Sequence, residues 1–277
     1  MDVYSHICEK PNIGDEINAW FWQETLGEKD LSKFQSEALL VGIGTVLNNK
    51  LPTASHYHIL GSGYGYAEQN FKLKDNSTVH FVRGPLTAKA LSVSENKAIT
   101  DPAILISNLR PQALDKKFEY SFMPHITMDN QKYKSLIEKA GINYISPSDP
   151  ESQILEMIAS SKVLLTSAMH GAIFADSYRV PWIPFKTSHQ ILGFKWNDWG
   201  ASMDIDINFV NLPPIWNSQE TSFVKKIVSY SKEKLIIKNI RKALNSVEPI
   251  LSKESVHIEK KNNVLEAIAS FKRAYLA

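Results

Sequence analysis

A chain of 277 residues with 43% apolar side chains and a formal charge of +2 can bury one large core or two smaller ones, which excludes global disorder. So small a charge excludes the concentrated basic face of a nucleic-acid binder, and the single cysteine, Cys8, excludes an internal disulfide or a cysteine-built metal site. Without a membrane-length apolar run, or an apolar segment after the polar start at Asp2, His6, Glu9 and Lys10, the expectation is a soluble cytoplasmic protein lacking a signal peptide.

The first half alternates strand and helix patterns. Residues 4–8 suggest a strand and 15–26 a helix. Residues 39–43 suggest a second strand, running into Gly42-Ile43-Gly44-Thr45, and residues 56–60 a third, running into Gly61-Ser62-Gly63-Tyr64-Gly65. Residues 79–82 give a fourth strand before a helix over 85–91, where Pro85 suits the first helical position. Strands that end in glycine-rich or polar turns fit a parallel sheet with a crevice at its carboxyl edge.

Residues 109–117 suggest a linker, and a second alternation follows: strands over 120–123, 143–145, 163–166 and 181–185, helices over 129–140, 150–160 and 172–178. Ser148 can cap the helix over 150–160. From about residue 218 the pattern is helical and basic, with Lys225, Lys226, Lys232, Lys238, Arg241 and Lys242. These form either a solvated helix face or a surface drawn to an anionic membrane. The expected organisation is α/β, with two Rossmann-like domains facing a cleft and C-terminal helices. The boundaries are 1–115, 116–217 and a helical extension over 218–277.

The most informative stretch is Thr166-Ser167-Ala168-Met169-His170-Gly171, where a buried strand turns into a helix. His170 falls in the first helical turn, beside N–H groups and a dipole end that favour anions, so it is either a proton-transfer group or a hydrogen-bonded core residue. Arg83 ends a strand just before a helix; its guanidinium can hold a phosphate or carboxylate bidentately, or make a surface ion pair. Asn12 and Asp15, in the first strand-to-helix turn, can cap that helix or meet a sugar hydroxyl. His125, after Met123-Pro124, points to the same crevice as His170 or is structural. Trp196 and Trp199 either stack on sugars or pack a core. His56 and His58 share a strand face without an evident third ligand, so no metal is expected. The chain has no Walker loop, no third glycine after Gly42-Ile43-Gly44, and no Gly-x-Ser-x-Gly elbow.

Taken together these segments resemble the polysaccharide pyruvyl transferase family. The matching pieces are Asn12-Ile13-Gly14-Asp15-Glu16-Ile17-Asn18, Gly42-Ile43-Gly44-Thr45, Val82-Arg83-Gly84-Pro85-Leu86-Thr87, Asp101-Pro102-Ala103, Pro124-His125, and Met169-His170-Gly171-Ala172 with Arg179-Val180-Pro181. They occur in family order, and the likeness is greatest to the subgroup acting on exopolysaccharides such as succinoglycan. The resemblance implies a GT-B-like fold and transfer of pyruvate from phosphoenolpyruvate, as a ketal, onto two hydroxyls of one sugar, with release of phosphate. Phosphoenolpyruvate is then a substrate, and no cofactor or metal is implied. His170 becomes the catalytic proton shuttle, with Arg83, Thr45 and Gly171 at the donor and Asn12, Asp15, His125, Trp196 and Trp199 at the acceptor.

One departure stands out: family members often carry arginine two positions before the histidine, where this chain has Ala168. Arg179 lies about 13 Å further along the helix, so Lys186 and His189 are the better sources of the replacement cation. The acceptor is expected to be a saccharide, lipid-linked at the inner face of the membrane and met by peripheral contact of the basic helices. Two other readings remain open: a GT-B glycosyltransferase using a nucleotide sugar, and a non-catalytic glycan-binding protein.

Overall fold

The computed structural model of the chain describes all residues except 6–9, 28–30, 32–36, 66–70, 113–114, 187–190, 213–222 and 277, with the backbone alone for 223–230 and 232. It is an α/β protein built on two parallel sheets. Two compact units result, and neither is a continuous stretch of chain. One comprises Met1–Pro111, Leu192–Ile207 and Ser252–Ala277; the other comprises Gln112–Ile191 and Asn208–Leu251. This differs from the expected linear order. Residues 192–207 leave the second domain for the first unit, and the helical region from 218 is divided between the two rather than forming one extension.

In the first unit the strands β1 (Asp2–Tyr4), β2 (Ala38–Val41), β3 (His56–Leu60) and β4 (Ser77–Phe81) lie side by side in chain order. The strand expected over 4–8 instead covers Asp2–Tyr4, and residues 6–9 lie outside the described residues. Helix α1 (Ile13–Leu26) begins at Asn12, whose side chain accepts from the Gly14 N–H, with Asp15 and Glu16 favouring its positive end. It stops at Gly27, whose left-handed backbone (φ 70°) lets its N–H reach the carbonyls of Gln23 and Glu24. Inside α1, buried Asn18 binds the turn after β2: its amide donates to the Ile43 carbonyl at 2.8 Å and accepts from the Ile43 N–H at 2.9 Å.

Helices α2 (Pro85–Ala90) and α3 (Ile106–Leu109) follow β4, and α7 (Gly193–Ser202) and α9 (Glu254–Tyr275) return from far along the chain. The core of this unit gathers Val41, Leu47, Tyr57, Ile59, Phe71, Val82 and Ala88. On another face of the sheet the His58 ring lies tilted against those of His56 (4.7 Å) and His80 (5.5 Å), and Phe271 and Tyr275 of α9 meet His58 and His80 edge-on at 4.4–5.5 Å. Burial first, and then neighbouring positive charge (His80 and His56 at His58, Lys97 and His56 at His80), hold both well below the usual histidine range, at about 4. Among the described residues no group of histidine, cysteine or acidic side chains is arranged to hold a metal ion.

The second unit carries β5 (Phe118–Met123), β6 (Asn143–Tyr144), β7 (Ser161–Thr166), β8 (Trp182–Lys186) and β9 (Val210–Asn211), in the order β6-β5-β7-β8-β9. Helices α4 (Gln131–Lys139), α5 (Glu151–Ala159), α6 (Met169–Ser177) and α8 (Phe223–Ser246) complete it. Asn130 caps α4 by accepting from the Tyr133 N–H at 3.0 Å. Ser148 does not cap α5: the N-cap is Pro150, without a side-chain bond, and Glu151 alone favours that end. Ile236, Ile240 and Ala243 of α8 enter the core with Phe122, Leu165, Ile183 and Phe185, while Lys234, Lys238, Arg241 and Lys242 are exposed. These four basic residues thus lie on the exposed face of the helix, and Lys225, Lys226 and Lys232 lie among the side chains not described. Among the described residues no helix is long and apolar enough to cross a membrane.

Candidate active site

Numbered within its own unit, the second sheet has strand order 2-1-3-4-5, so the chain runs outward in opposite directions from β5 and β7. The crevice at the carboxyl ends of two such strands is where doubly wound sheets bind ligands. Here those ends are Met123 and Thr166, and the residues that follow are Pro124-His125 and Ser167-Ala168-Met169-His170.

The turn after β7 is locked to its neighbour. The Ser167 N–H donates to the Met123 carbonyl at 3.0 Å, and the Thr166 hydroxyl accepts from the Ala168 N–H at 3.0 Å and lies 3.1 Å from the Met123 carbonyl. Helix α6 starts at once, with Ala168 as N-cap and no side-chain cap. A Cβ on Gly171 would stand 2.7 Å from the Thr166 Oγ1 and 2.9 Å from the Met123 Sδ, so only glycine lets the helix begin this close to the strand ends. Every α6 residue from Met169 to Ser177 is buried except His170. A helix apolar on all sides is a core helix, and this one shows solvent a single partly exposed side chain. The His170 ring stacks on Phe174, one turn on, with centroids 5.9 Å apart. At the far end Arg179 approaches Asp176 (3.4 Å), so it serves the end of α6 rather than its start.

His125 lies at the carboxyl end of β5, where its Nδ1 accepts from the Thr127 N–H (3.4 Å) and lies 2.9 Å from the Thr127 hydroxyl. Lys186 ends β8, the strand next to β7. His189 lies outside the described residues.

The other expected site residues belong to the first unit. Arg83 is fully buried: its Nε donates to Asp198 Oδ2 at 3.0 Å and its Nη1 to the Thr45 hydroxyl at 2.7 Å, while Nη2 has no hydrogen-bond partner among the described residues. Asp198 comes from α7 and also accepts from the Thr87 N–H (2.8 Å) and the Thr87 hydroxyl (2.6 Å) in the first turn of α2. Asp101 lies in the same buried neighbourhood; burial raises its carboxyl to about 6, against the opposing pull of Arg83. Trp196 and Trp199 flank Asp198 on α7 and are buried, at 0% and 1% exposure, so their indole faces pack the core of this unit and offer none to a sugar. Asn12 caps α1 and donates to Asp15 Oδ2 at 2.7 Å. Thr87 and Asp101 lie in motifs read from the sequence, but neither they nor Asp198 was given a role at the site, and their pairing with Arg83 across the chain carries no local signal.

A family model described as polysaccharide pyruvyl transferase matches residues 12–189. The chain is 38% identical over 213 residues to the succinoglycan biosynthesis protein ExoV of Rhizobium meliloti (strain 1021), covering 74% of this chain and 66% of that protein, just under two thirds of its length. It is also 26% identical over 200 residues to uncharacterized protein L143 of Acanthamoeba polyphaga mimivirus, covering 66% of this chain and 68% of that one. Among solved structures, the H444N variant of the wall teichoic acid polymerase TagF aligns with 86% of this chain and 74% of its own, at 9% identity and a TM-score of 0.30. With 178 residues matched by the model (12 to 189), more than half of the 277, the chain belongs to the polysaccharide pyruvyl transferase family.

Proposed function

We propose that this protein transfers pyruvate from phosphoenolpyruvate onto two hydroxyls of one sugar in an exopolysaccharide or its repeat unit, forming a ketal and releasing phosphate. Family membership and the likeness to a succinoglycan biosynthesis protein support the reaction class. The single observation that carries the assignment of the site is His170, the one partly exposed residue of the otherwise buried α6, at the switch point of the second sheet.

The chemistry follows from that position. His170, as imidazolium, gives a proton to C3 of phosphoenolpyruvate while C2 becomes oxocarbenium-like and one sugar hydroxyl bonds to it; the hydroxyl's proton returns to the imidazole. The second hydroxyl then bonds to C2, the bond from C2 to the phosphate oxygen breaks, and that hydroxyl's proton leaves with phosphate. The N–H groups in the first turn of α6, left without a side-chain cap by Ala168, take the donor's anionic end together with the Lys186 ammonium. His189 is a further candidate cation, and His125 at the adjoining strand end faces the acceptor. The exposed Lys234, Lys238, Arg241 and Lys242 suit an acceptor carried on an anionic membrane at the cytoplasmic side.

Phosphate release coupled to a new ketal methyl signal in proton NMR, with a glycan acceptor, tests the reaction. His170→Gln is expected to slow it by about 10²-fold or more, and a Lys186→Ala/His189→Ala pair to raise KM for phosphoenolpyruvate. Stabilisation by a nucleotide sugar without any response to phosphoenolpyruvate would instead indicate glycosyl transfer; glycan binding without phosphate release would indicate a binding protein.

A further inference from the structure

We propose that the anion bound by Arg83 is already part of the protein: Asp198 fills the site at the β4–α2 turn, and the pair is an internal clasp that docks residues 192–207 onto the first unit. Arg83 then acts on catalysis by position, holding the glycine-rich strand ends in place without touching the donor. This goes beyond the proposed reaction, and its core test does not rest on it.

Three observations converge. First, the contact set is that of a bound anion. The Asp198 carboxylate receives Arg83 Nε on one oxygen and the Thr87 N–H and hydroxyl across both, which is what an arginine beside a helix start offers a phosphate or carboxylate. Second, the guanidinium and its partner are both fully buried, at 0% exposure; Nη1 is held by Thr45, and Nη2 lies buried without a hydrogen-bond partner among the described residues. A second anion brought into this place would meet Asp198, and Asp101 nearby, against one arginine. Third, the backbone closes tightly on the pair. A Cβ on Gly63 would overlap the Arg83 guanidinium, and one on Gly84 would overlap the Asp198 backbone and carboxylate. The clasp thus accounts for glycine at both positions.

Removing the carboxylate should open a place of its own size. Asp198→Ala is therefore expected to lose thermal stability and to regain about 3 °C in Tm, saturably, on adding formate, with less from the larger acetate and none from formamide. Neither the wild-type protein nor Arg83→Gln/Asp198→Ala should respond. A folded Asp198→Ala protein with no formate-specific gain would overturn the clasp. If Asp198→Ala does not fold, the size-matched Arg83→Gln/Asp198→Asn pair decides. An unchanged KM for phosphoenolpyruvate supports the clasp, and a tenfold or greater rise at unchanged kcat places Arg83 on the donor and overturns it. Should phosphoenolpyruvate not be the substrate, the formate result stands independently.

Discussion

Acidification should loosen the seat of α9 on the first sheet, and the size of the effect can be worked out. His58 and His80 sit under Phe271 and Tyr275 at about 4, against an ordinary 6.5. Burial is the main cause for both; His80, His56 and the amino terminus add to it at His58, and Lys97 and His56 add to it at His80. With the folded value below the unfolded one, the unfolded chain binds more protons between the two. Stability is thus fully present above about pH 6.5 and is lost as pH falls toward 4. At full weight each histidine contributes about 2 kcal/mol of loss between pH 7 and pH 5. Halving for the residual solvent screening of groups that are not wholly enclosed leaves about 2 kcal/mol for the pair.

Asp101 works the other way. Its folded value of about 6 lies above the unfolded 3.8, so protonation there favours the fold by roughly 1 kcal/mol over the same interval. The clean measurement is therefore a difference: urea unfolding at pH 7 and pH 5 for the wild type and for His58→Gln/His80→Gln, in which the Asp101 contribution cancels. The wild type should lose about 2 kcal/mol more than the double variant over that interval. A double variant that loses as much as the wild type would refute the reasoning.

Gly171→Ala should displace the start of α6 from Thr166 and Met123, costing about 1–3 kcal/mol in urea unfolding and lowering kcat through His170. Gly63→Ala, which forces a methyl into the buried Arg83 guanidinium, should cost at least 2 kcal/mol, measured the same way. Gly141→Ala, strained at φ 81° but with no atom within 4 Å of the new methyl, should cost only about 1 kcal/mol. Tyr144→Phe removes the bond from the Tyr144 hydroxyl to Asp129 (2.7 Å) and should lower stability by about 1–2 kcal/mol.

Local pattern carried the elements far. The strand over His56–Leu60 is found with the same ends, and α1, α2 and α4 to α6 differ from expectation by a few residues, because apolar periodicity and caps such as Asn12 act within one turn. The position of His170, in the first helical turn after a buried strand, was legible for the same reason: these pieces are contiguous in sequence. What pairs across the chain was not. Asp198 lies 115 residues from Arg83, and no local signal joins them. The indoles of Trp196 and Trp199 drew attention as sugar platforms, yet the helix that bears them folds back into the first unit, where their apolar area packs the core. His80 completes the cluster with His56 and His58 through strand pairing alone, which the spacing of two histidines on one strand could not reveal.

The return of residues 252–277 to the first sheet also sets an order of events during synthesis. Chains usually settle domain by domain from the amino terminus as they emerge from the ribosome. Here every segment of the second unit has been made once Leu251 is joined, whereas the first unit still lacks α9. Until that helix arrives, the histidine-bearing face of β3 and β4 stands open to solvent with its imidazoles free to protonate. The unit that begins the chain is thus the last to close.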